Sequence, residues 1–389
     1  MKHLLYVFMS LFLLTEGCVP ARMSRMHEAA LRVCGEMVPD QRTDRCVVEV
    51  SRATAGRGLV LRGEVLSPET REKVLSAARA ISPACTDSLV LLPAPGVGEK
   101  CFGLVTVSVA NLRARPGHGA EMVSQAVMGT PLRILKKERD WVYIQTPDRY
   151  LSWTNASSVQ PVTPEELEGW RKAPRLIFTG QYGEVFADTL SLERISDLAA
   201  GCLVEGAHGQ GAWSRVTLPG GRQGWARSGK LHDFAAWKEE VSATPASLTA
   251  TARTFSGIPY QWGGTSSKAL DCSGFTKTVW FLNGIILERD ASQQFKYGEV
   301  VDGSAHQEHL LPGDLLFFGR KDPLRIIHVG IYLGQREVIH ASGQVAIQSM
   351  DETQPHFSQY LSGTYVGARR VTGLTSRFGY TPVKEHPWY

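Results

Sequence analysis

No stretch of this chain offers the roughly 20 consecutive apolar residues that a membrane-spanning helix needs. The one extended apolar run, Leu4 to Leu14, is too short. Charge of one sign is not concentrated anywhere. The 42 Lys and Arg stand against 38 Asp and Glu, a net charge of +4. That balance gives no argument for a nucleic-acid partner, and no RNA-binding motif accompanies it. No two cysteines are spaced CxxC, and His306 and His309 have no companions at ligand spacing, so neither a metal nor another cofactor is expected. What remains is 43% apolar and 21% charged over 389 residues. This is ordinary globular composition, with length for roughly two to four domains.

The chemistry gathers at Leu270-Asp271-Cys272-Ser273-Gly274-Phe275. A glycine-rich turn, Trp262-Gly263-Gly264-Thr265, comes before it and an apolar-rich run through Leu282 comes after it. That order predicts a loop followed by a helix, with Asp271 at the N-cap and Cys272 at the helix start. Unpaired N–H groups and the helix dipole favour a thiolate there, which makes Cys272 a candidate nucleophile. Two histidines further on, His328 and His340, each interrupt a β-branched apolar run, and Gly334-Gln335-Arg336-Glu337 between them reads as a hairpin loop. A nucleophile needs a base, and the base needs a group that fixes its tautomer. Cys272, His328 and His340 can fill those roles. Side chains alternate along strands, so the two histidines share a face only if the loop holds an odd number of residues or a bulge restores parity.

With these motifs in this order, the chain resembles the NlpC/p60 family of cysteine peptidases. The matching residues are Tyr260-Gln261-Trp262-Gly263-Gly264, Asp271-Cys272-Ser273-Gly274, Leu311-Pro312-Gly313-Asp314-Leu315-Leu316-Phe317-Phe318, His328-Val329-Gly330-Ile331-Tyr332 and Ile339-His340-Ala341. The resemblance covers residues 245–372. It implies an α+β class with a papain-like catalytic domain, in which a helix-borne Cys packs on a sheet carrying both histidines. It also implies cleavage of the peptide stems of bacterial cell wall, with Tyr260, twelve residues before Cys272, as a hydroxyl on the oxyanion side.

Upstream, Met1-Lys2-His3, the apolar run and Thr15-Glu16-Gly17-Cys18 read as an export signal over residues 1–18. Gly17-Cys18 invites a lipid on Cys18 and attachment to a membrane through it. Export would permit disulfides, but Cys34, Cys46, Cys85, Cys101 and Cys202 are odd in number, and all five could equally be buried thiols. Residues 19–100 read as a small α/β module, with a strand at 58–65, a helix from Ser67-Pro68 to about Ile81 and a second strand at 89–93. Residues 101–165 and 166–240 repeat one β-rich pattern. Trp141 is followed by Trp153 and Trp213 by Trp225, twelve residues apart each time, with a Pro-containing turn between. These resemble two bacterial SH3-like barrels. A linker and helix follow at 236–256, and residues 373–389 form a tail without periodicity.

SH3 domains placed before this catalytic domain resemble the γ-D-glutamyl-L-diamino acid endopeptidases (dipeptidyl-peptidase VI). That resemblance implies a muropeptide substrate with a free N-terminal L-alanine, a monomer and no nucleic-acid partner. It assigns Glu121 and Tyr150 of the first barrel, with Asp271, Ser273 and Asp290, to substrate binding; Asp271 can instead cap the helix. Two other readings stay open: a non-catalytic cell-wall binding protein, and a papain-like amidase or acyltransferase acting on another acyl group.

Overall fold

The computed structural model describes residues 2–54, 58–209, 211–301, 309–372 and 380–389, with side chains from residue 19 onward. The side chain of Cys18, residue His306 and residues 373–379 of the tail therefore lie outside the described residues. The chain divides into two compact units, residues 1–97 and 98–389.

In the first unit a helix, Lys2–Met37, precedes a sheet of Cys46–Arg52, Leu59–Val65 and Thr86–Leu91. The first two strands pair antiparallel, and the last two pair parallel across the helix Pro68–Ile81. Ser67 caps that helix, accepting from the Thr70 N–H at 3.3 Å, with Pro68 in its first turn. Met26, Ala30 and Cys34 recur at four-residue spacing and are buried together against the sheet. The open question about the cysteines closes here for two of them. Cys34 and Cys46 are disulfide-bonded, with Cα atoms 5.4 Å apart, because the last turns of the helix lie over the first strand. Cys85 and Cys202 are buried thiols and Cys101 is half-buried.

In the second unit the repeat becomes two seven-stranded sheets. The first is built from strands between Phe102 and Val162, the second from strands between Arg175 and Asp233. Their registers match. Tyr143 pairs with Trp153 in one and Arg215 with Trp225 in the other. Residues 236–256 are less of a linker than expected. Phe234–Glu240 is already helical, and Pro245–Thr254 forms a second helix with a Thr244/Ser247 capping box.

The part of the chain that follows Cys272 is built on a six-stranded antiparallel sheet. Its spatial order is Glu299–Val301, Tyr365–Arg370, Leu315–Arg320, Arg325–Gly334, Glu337–Ser342 and Gln344–Ser349. The helix Cys272–Phe281 packs on this sheet, burying Phe275 and Val279 with Phe317, Val329, Ile331 and Ile339. The end of the tail is not the patternless appendage the sequence suggests. Thr381–Pro382 pairs with Ile285–Ile286, and Val383 and Tyr389 are buried against Phe234 and Phe281. Aperiodic anchors of this kind leave no sequence signal, although burying one such ring is worth roughly 2 kcal/mol.

Candidate active site

Cys272 is the first residue of its helix and Asp271 is the N-cap. The Asp271 carboxylate accepts from the N–H of Gly274 at 2.7 Å and of Gly263 at 2.9 Å. Gly274 has to be glycine, since a Cβ there would stand 1.9 Å from the carbonyl oxygen of Gly264. The thiol is buried beside the backbone N–H of Val329, the neighbour of His328. Helix position alone favoured a thiolate, but burial, followed by the charge of Asp271, pushes this thiol up to about 11. The free protein therefore holds a thiol, and the proton must leave as the sulfur attacks.

The two histidines meet because of a bulge. Gly334 pairs with Glu337 around the turn Gln335-Arg336, whose φ values are +51° and +62°, as a two-residue hairpin requires. Continued in that register, His340 would face Ile331, on the opposite side of the sheet from His328. The ladder slips by one between Gly334 and Tyr332, so Ile339 pairs with Ile331. His340 then falls opposite Gly330, and alternation places it on the face of His328. A Cβ at Gly330 would lie 3.0 Å from the Cβ of His340 and 2.6 Å from Val338 Cγ1, so the absent side chain makes the room. The imidazoles meet with His328 Nε2 2.8 Å from His340 Nδ1.

A residue that the sequence reading missed completes the chain. Gln348 Oε1 lies 2.9 Å from His340 Nε2. It sits on the next strand, where His340 pairs with Ala346, two residues before Gln348 and on the same face; alternation along that strand was the signal available. An amide oxygen can only accept, so His340 carries its proton on Nε2 and presents a bare Nδ1. His328 must then donate from Nε2, which leaves its own Nδ1 as the lone pair. Burial, and then the neighbouring His340, hold His328 down to about 3, and burial also lowers His340, so both rings are neutral. The arrangement can take a proton from a thiol and return it to a leaving group.

Tyr260 is half-buried, and its phenol is pushed up to about 12 by burial and then by its proximity to Cys272 and Asp271. It stays protonated, able to donate a hydrogen bond beside the sulfur. On another side Tyr360, which the sequence gave no reason to single out, stands edge-on to His328 with ring centroids 5.9 Å apart.

Arg289 is a second missed residue, though it adjoins the expected Asp290. It is 1% exposed. Its guanidinium donates to both carboxylate oxygens of Asp271, to Ser273 Oγ at 2.9 Å and, from Nε, to Ser124 Oγ of the first barrel at 3.0 Å. Asp271 and Ser273, both expected at the substrate, are thus engaged in holding the start of the helix. The residues flanking Arg289 also reach the barrel. Glu288 pairs with Arg149 at 2.7 Å, and Asp290 Oδ2 accepts from the Tyr150 hydroxyl at 3.3 Å. Tyr150 is 6% exposed. Glu121 remains exposed, and its Oε1 accepts from Trp262 Nε1 at 2.8 Å. The structure therefore brings Tyr150 to Asp290, and Glu121 to the loop that leads into Cys272.

The NlpC/P60 family matches residues 257–370, and the bacterial dipeptidyl-peptidase SH3 domain matches residues 112–159. A dipeptidyl-peptidase 6 of Lysinibacillus sphaericus is 32% identical over 296 residues, 71% of this chain and 99% of the relative. The chain belongs to the NlpC/P60 family. A γ-D-glutamyl-L-lysine dipeptidyl-peptidase of Bacillus cereus is 26% identical over 64% of this chain and 75% of its own. Among solved structures, an NlpC/P60 family protein from Bacillus cereus superposes with a TM-score of 0.61 at 23% identity, covering 70% of this chain and all of that one. That likeness bears on the fold: an α+β NlpC/P60 peptidase domain preceded by SH3-like sheets.

Proposed function

We propose that this NlpC/P60 protein is a cysteine peptidase. Its substrates are peptidoglycan stem peptides with a free N-terminal L-alanine, cut at the γ-D-glutamyl–diamino acid bond in cell-wall turnover or recycling. The observation that carries the reading is one run of three residues. Arg289 holds the start of the Cys272 helix, while Asp290 beside it is bonded to Tyr150 of the first barrel. A carboxylate and a phenol supplied from two domains, one residue away from the support of the nucleophile, suit a terminal ammonium, which needs charged partners when desolvated. The name of the Bacillus cereus relative supports the same bond, and both relatives' names support a dipeptide product.

In this mechanism Cys272 Sγ attacks the γ-carbonyl carbon as its proton passes to His328 Nδ1. The Cys272 N–H and the Tyr260 hydroxyl receive the developing oxyanion; one such donor is typically worth about 3 kcal/mol. His328 returns the proton to the departing amine, leaving a thioester. A water activated by the same imidazole then releases the acid. Mass spectrometry of the products from L-Ala-γ-D-Glu-diamino acid peptide tests the bond assignment. L-Ala-D-Glu and the free diamino acid are expected, with no turnover by Cys272→Ser. Cleavage at the L-Ala–D-Glu bond, or turnover by the variant near the wild-type rate, would refute it. We also propose export and lipidation of Cys18, tested by fatty-acid labelling of wild type against Cys18→Ala; equal labelling of both would refute the lipid.

A further inference from the structure

The two barrels close the same hairpin with different residues. In the second, Leu218-Pro219-Gly220-Gly221-Arg222 turns with the Gly221 N–H on the Leu218 carbonyl at 2.9 Å and the Leu218 N–H on the Arg222 carbonyl at 2.8 Å. The first repeats that frame as Thr146-Pro147-Asp148-Arg149-Tyr150. There the Arg149 N–H meets the Thr146 carbonyl at 2.8 Å, and the Thr146 N–H meets the Tyr150 carbonyl at 3.1 Å. Gly221 has φ +85°, and Arg149 at the same place has φ +64°. Glycine adopts that region freely and arginine does not, so the first turn holds a conformation that its sequence disfavours. Contacts from outside the barrel hold it there. Asp148 pairs with Lys277 of the Cys272 helix at 2.9 Å, Arg149 with Glu288 at 2.7 Å, and Tyr150 donates to Asp290 at 3.3 Å. Pro147 is held from the tail, its carbonyl oxygen 3.1 Å from Nε2 of the buried His386. A carbonyl only accepts, so His386 donates from Nε2, and its bare Nδ1 accepts from the Trp388 N–H at 3.2 Å. Burial holds His386 down to about 4, so the ring is neutral and stays in that tautomer.

We propose that His386 is a positioning residue for amine recognition: through Pro147 it fixes the turn that presents the Tyr150 hydroxyl to Asp290. The inference rests on the free-amine reading given above. Pro147 and Tyr150 stand at the two ends of the turn, and the disfavoured residue, Arg149, lies between them. With the Pro147 end released, Arg149 can relax out of the left-handed region and carry Tyr150 away from Asp290. His386 itself bonds Pro147 and Trp388 and packs on the rings of Trp388 and Tyr389, none of which belongs to the relay from Cys272 to Gln348. Its loss should therefore reach the reaction through the amine and not through the sulfur. The second barrel supplies the contrast. Its turn has glycine where the first has Asp148 and Arg149, so it needs no outside support to hold its shape.

The test uses the full chain and two substrates: L-Ala-γ-D-Glu-diamino acid peptide, and its propionyl analogue, in which hydrogen replaces the amine. Wild type should prefer the free amine in kcat/KM. His386→Phe keeps a ring against Trp388 and Tyr389 but has no N–H for Pro147. Arg149→Gly relaxes the turn and frees it from Glu288. Each variant should lower the preference by about two- to tenfold, the worth of one hydrogen bond, by slowing the free-amine peptide alone. His386→Gln, whose amide can donate at the same reach, should recover most of the preference. Exchange of the Arg149 amide hydrogen should quicken in His386→Phe, a readout that needs no substrate. An equal loss on both peptides, an unchanged preference in either variant, a glutamine variant no better than the phenylalanine one, or unchanged amide exchange would each overturn the positioning role. Equal cleavage of both peptides by wild type would instead overturn the free-amine reading itself, with the exchange still reporting whether His386 holds the turn.

Discussion

Replacing Gln348 with Leu tests the relay without touching sulfur, base or substrate. The amide oxygen of Gln348 is the acceptor that keeps the His340 proton on Nε2. Without it the buried ring has two options. It can keep that tautomer with an unsatisfied N–H, which costs roughly 1–3 kcal/mol, or it can move the proton to Nδ1. The second option points an N–H at His328 Nε2, 2.8 Å away, and forces the His328 proton onto Nδ1, where it can no longer accept from Cys272. The cost of the lost acceptor falls on the competent tautomer alone, so the population shifts toward the incompetent one. With 1.4 kcal/mol per decade, kcat should fall about ten- to a hundredfold. KM should change little, since Gln348 lies behind both rings. Gln348→Glu keeps an acceptor at the same place and should recover most of the loss, while raising the pKa of His340 through its charge. The assay is steady-state hydrolysis of L-Ala-γ-D-Glu-diamino acid peptide, with imidazole nitrogen NMR to report the tautomers. A Leu variant with wild-type kcat, or one whose His340 keeps its Nε2 proton yet is still inactive, would refute the relay.

Three further outcomes follow from the buried titratable groups. His328 is held at about 3 in the folded chain against an unfolded value near 6.5, so the unfolded form binds the extra proton and stability should fall as pH drops from about 6.5 toward 3. At pH 5 the loss from this residue is about 2 kcal/mol, and urea titrations of wild type and His328→Ala should show a shallower acid slope in the variant; equal slopes would contradict the assignment. Arg289→Ala leaves the buried Asp271 carboxylate without its ion-pair partner, which typically costs about 3–5 kcal/mol; thermal unfolding should show it, and an unchanged Tm would mean the pair contributes little. The thiol at about 11 predicts no ultraviolet thiolate absorbance from Cys272 at neutral pH, measured as the difference between wild type and Cys272→Ser; a thiolate signal at pH 7 would restore the expectation drawn from helix position.

Much of the site is legible in the sequence because it is local. A carboxylate before a cysteine before a glycine specifies a capped helix, and two histidines in apolar runs around a short turn specify a hairpin. The parity of that hairpin is not legible, because the slip at Leu333 that sets it depends on how the turn closes. Gln348 and Arg289 escaped for a different reason. Each acts through a partner on another strand or in another domain; alternation along Gln344-Val345-Ala346-Ile347-Gln348 marks a face but not the strand beside it, and Leu287-Glu288-Arg289 carries no mark of its neighbour. The tail escaped because Tyr389 and Val383 are anchored by packing alone. The thiolate expectation failed on burial, which local sequence does not report.

The central claim is that the first barrel makes the enzyme read a free amine. The direct measurement is kcat/KM for L-Ala-γ-D-Glu-diamino acid peptide with its amine free and with it N-acetylated, on wild type and on Glu121→Ala. Acetylation removes the ammonium and adds bulk against Tyr150 and Asp290, so cleavage by wild type should nearly vanish. Glu121 is exposed and already accepts from Trp262, so its loss should sit at the low end of a charged hydrogen bond, about 1.5 kcal/mol, or about a tenfold drop on the free-amine peptide. Equal cleavage of the two peptides by wild type would contradict the claim and make this protein an endopeptidase open to intact wall stems.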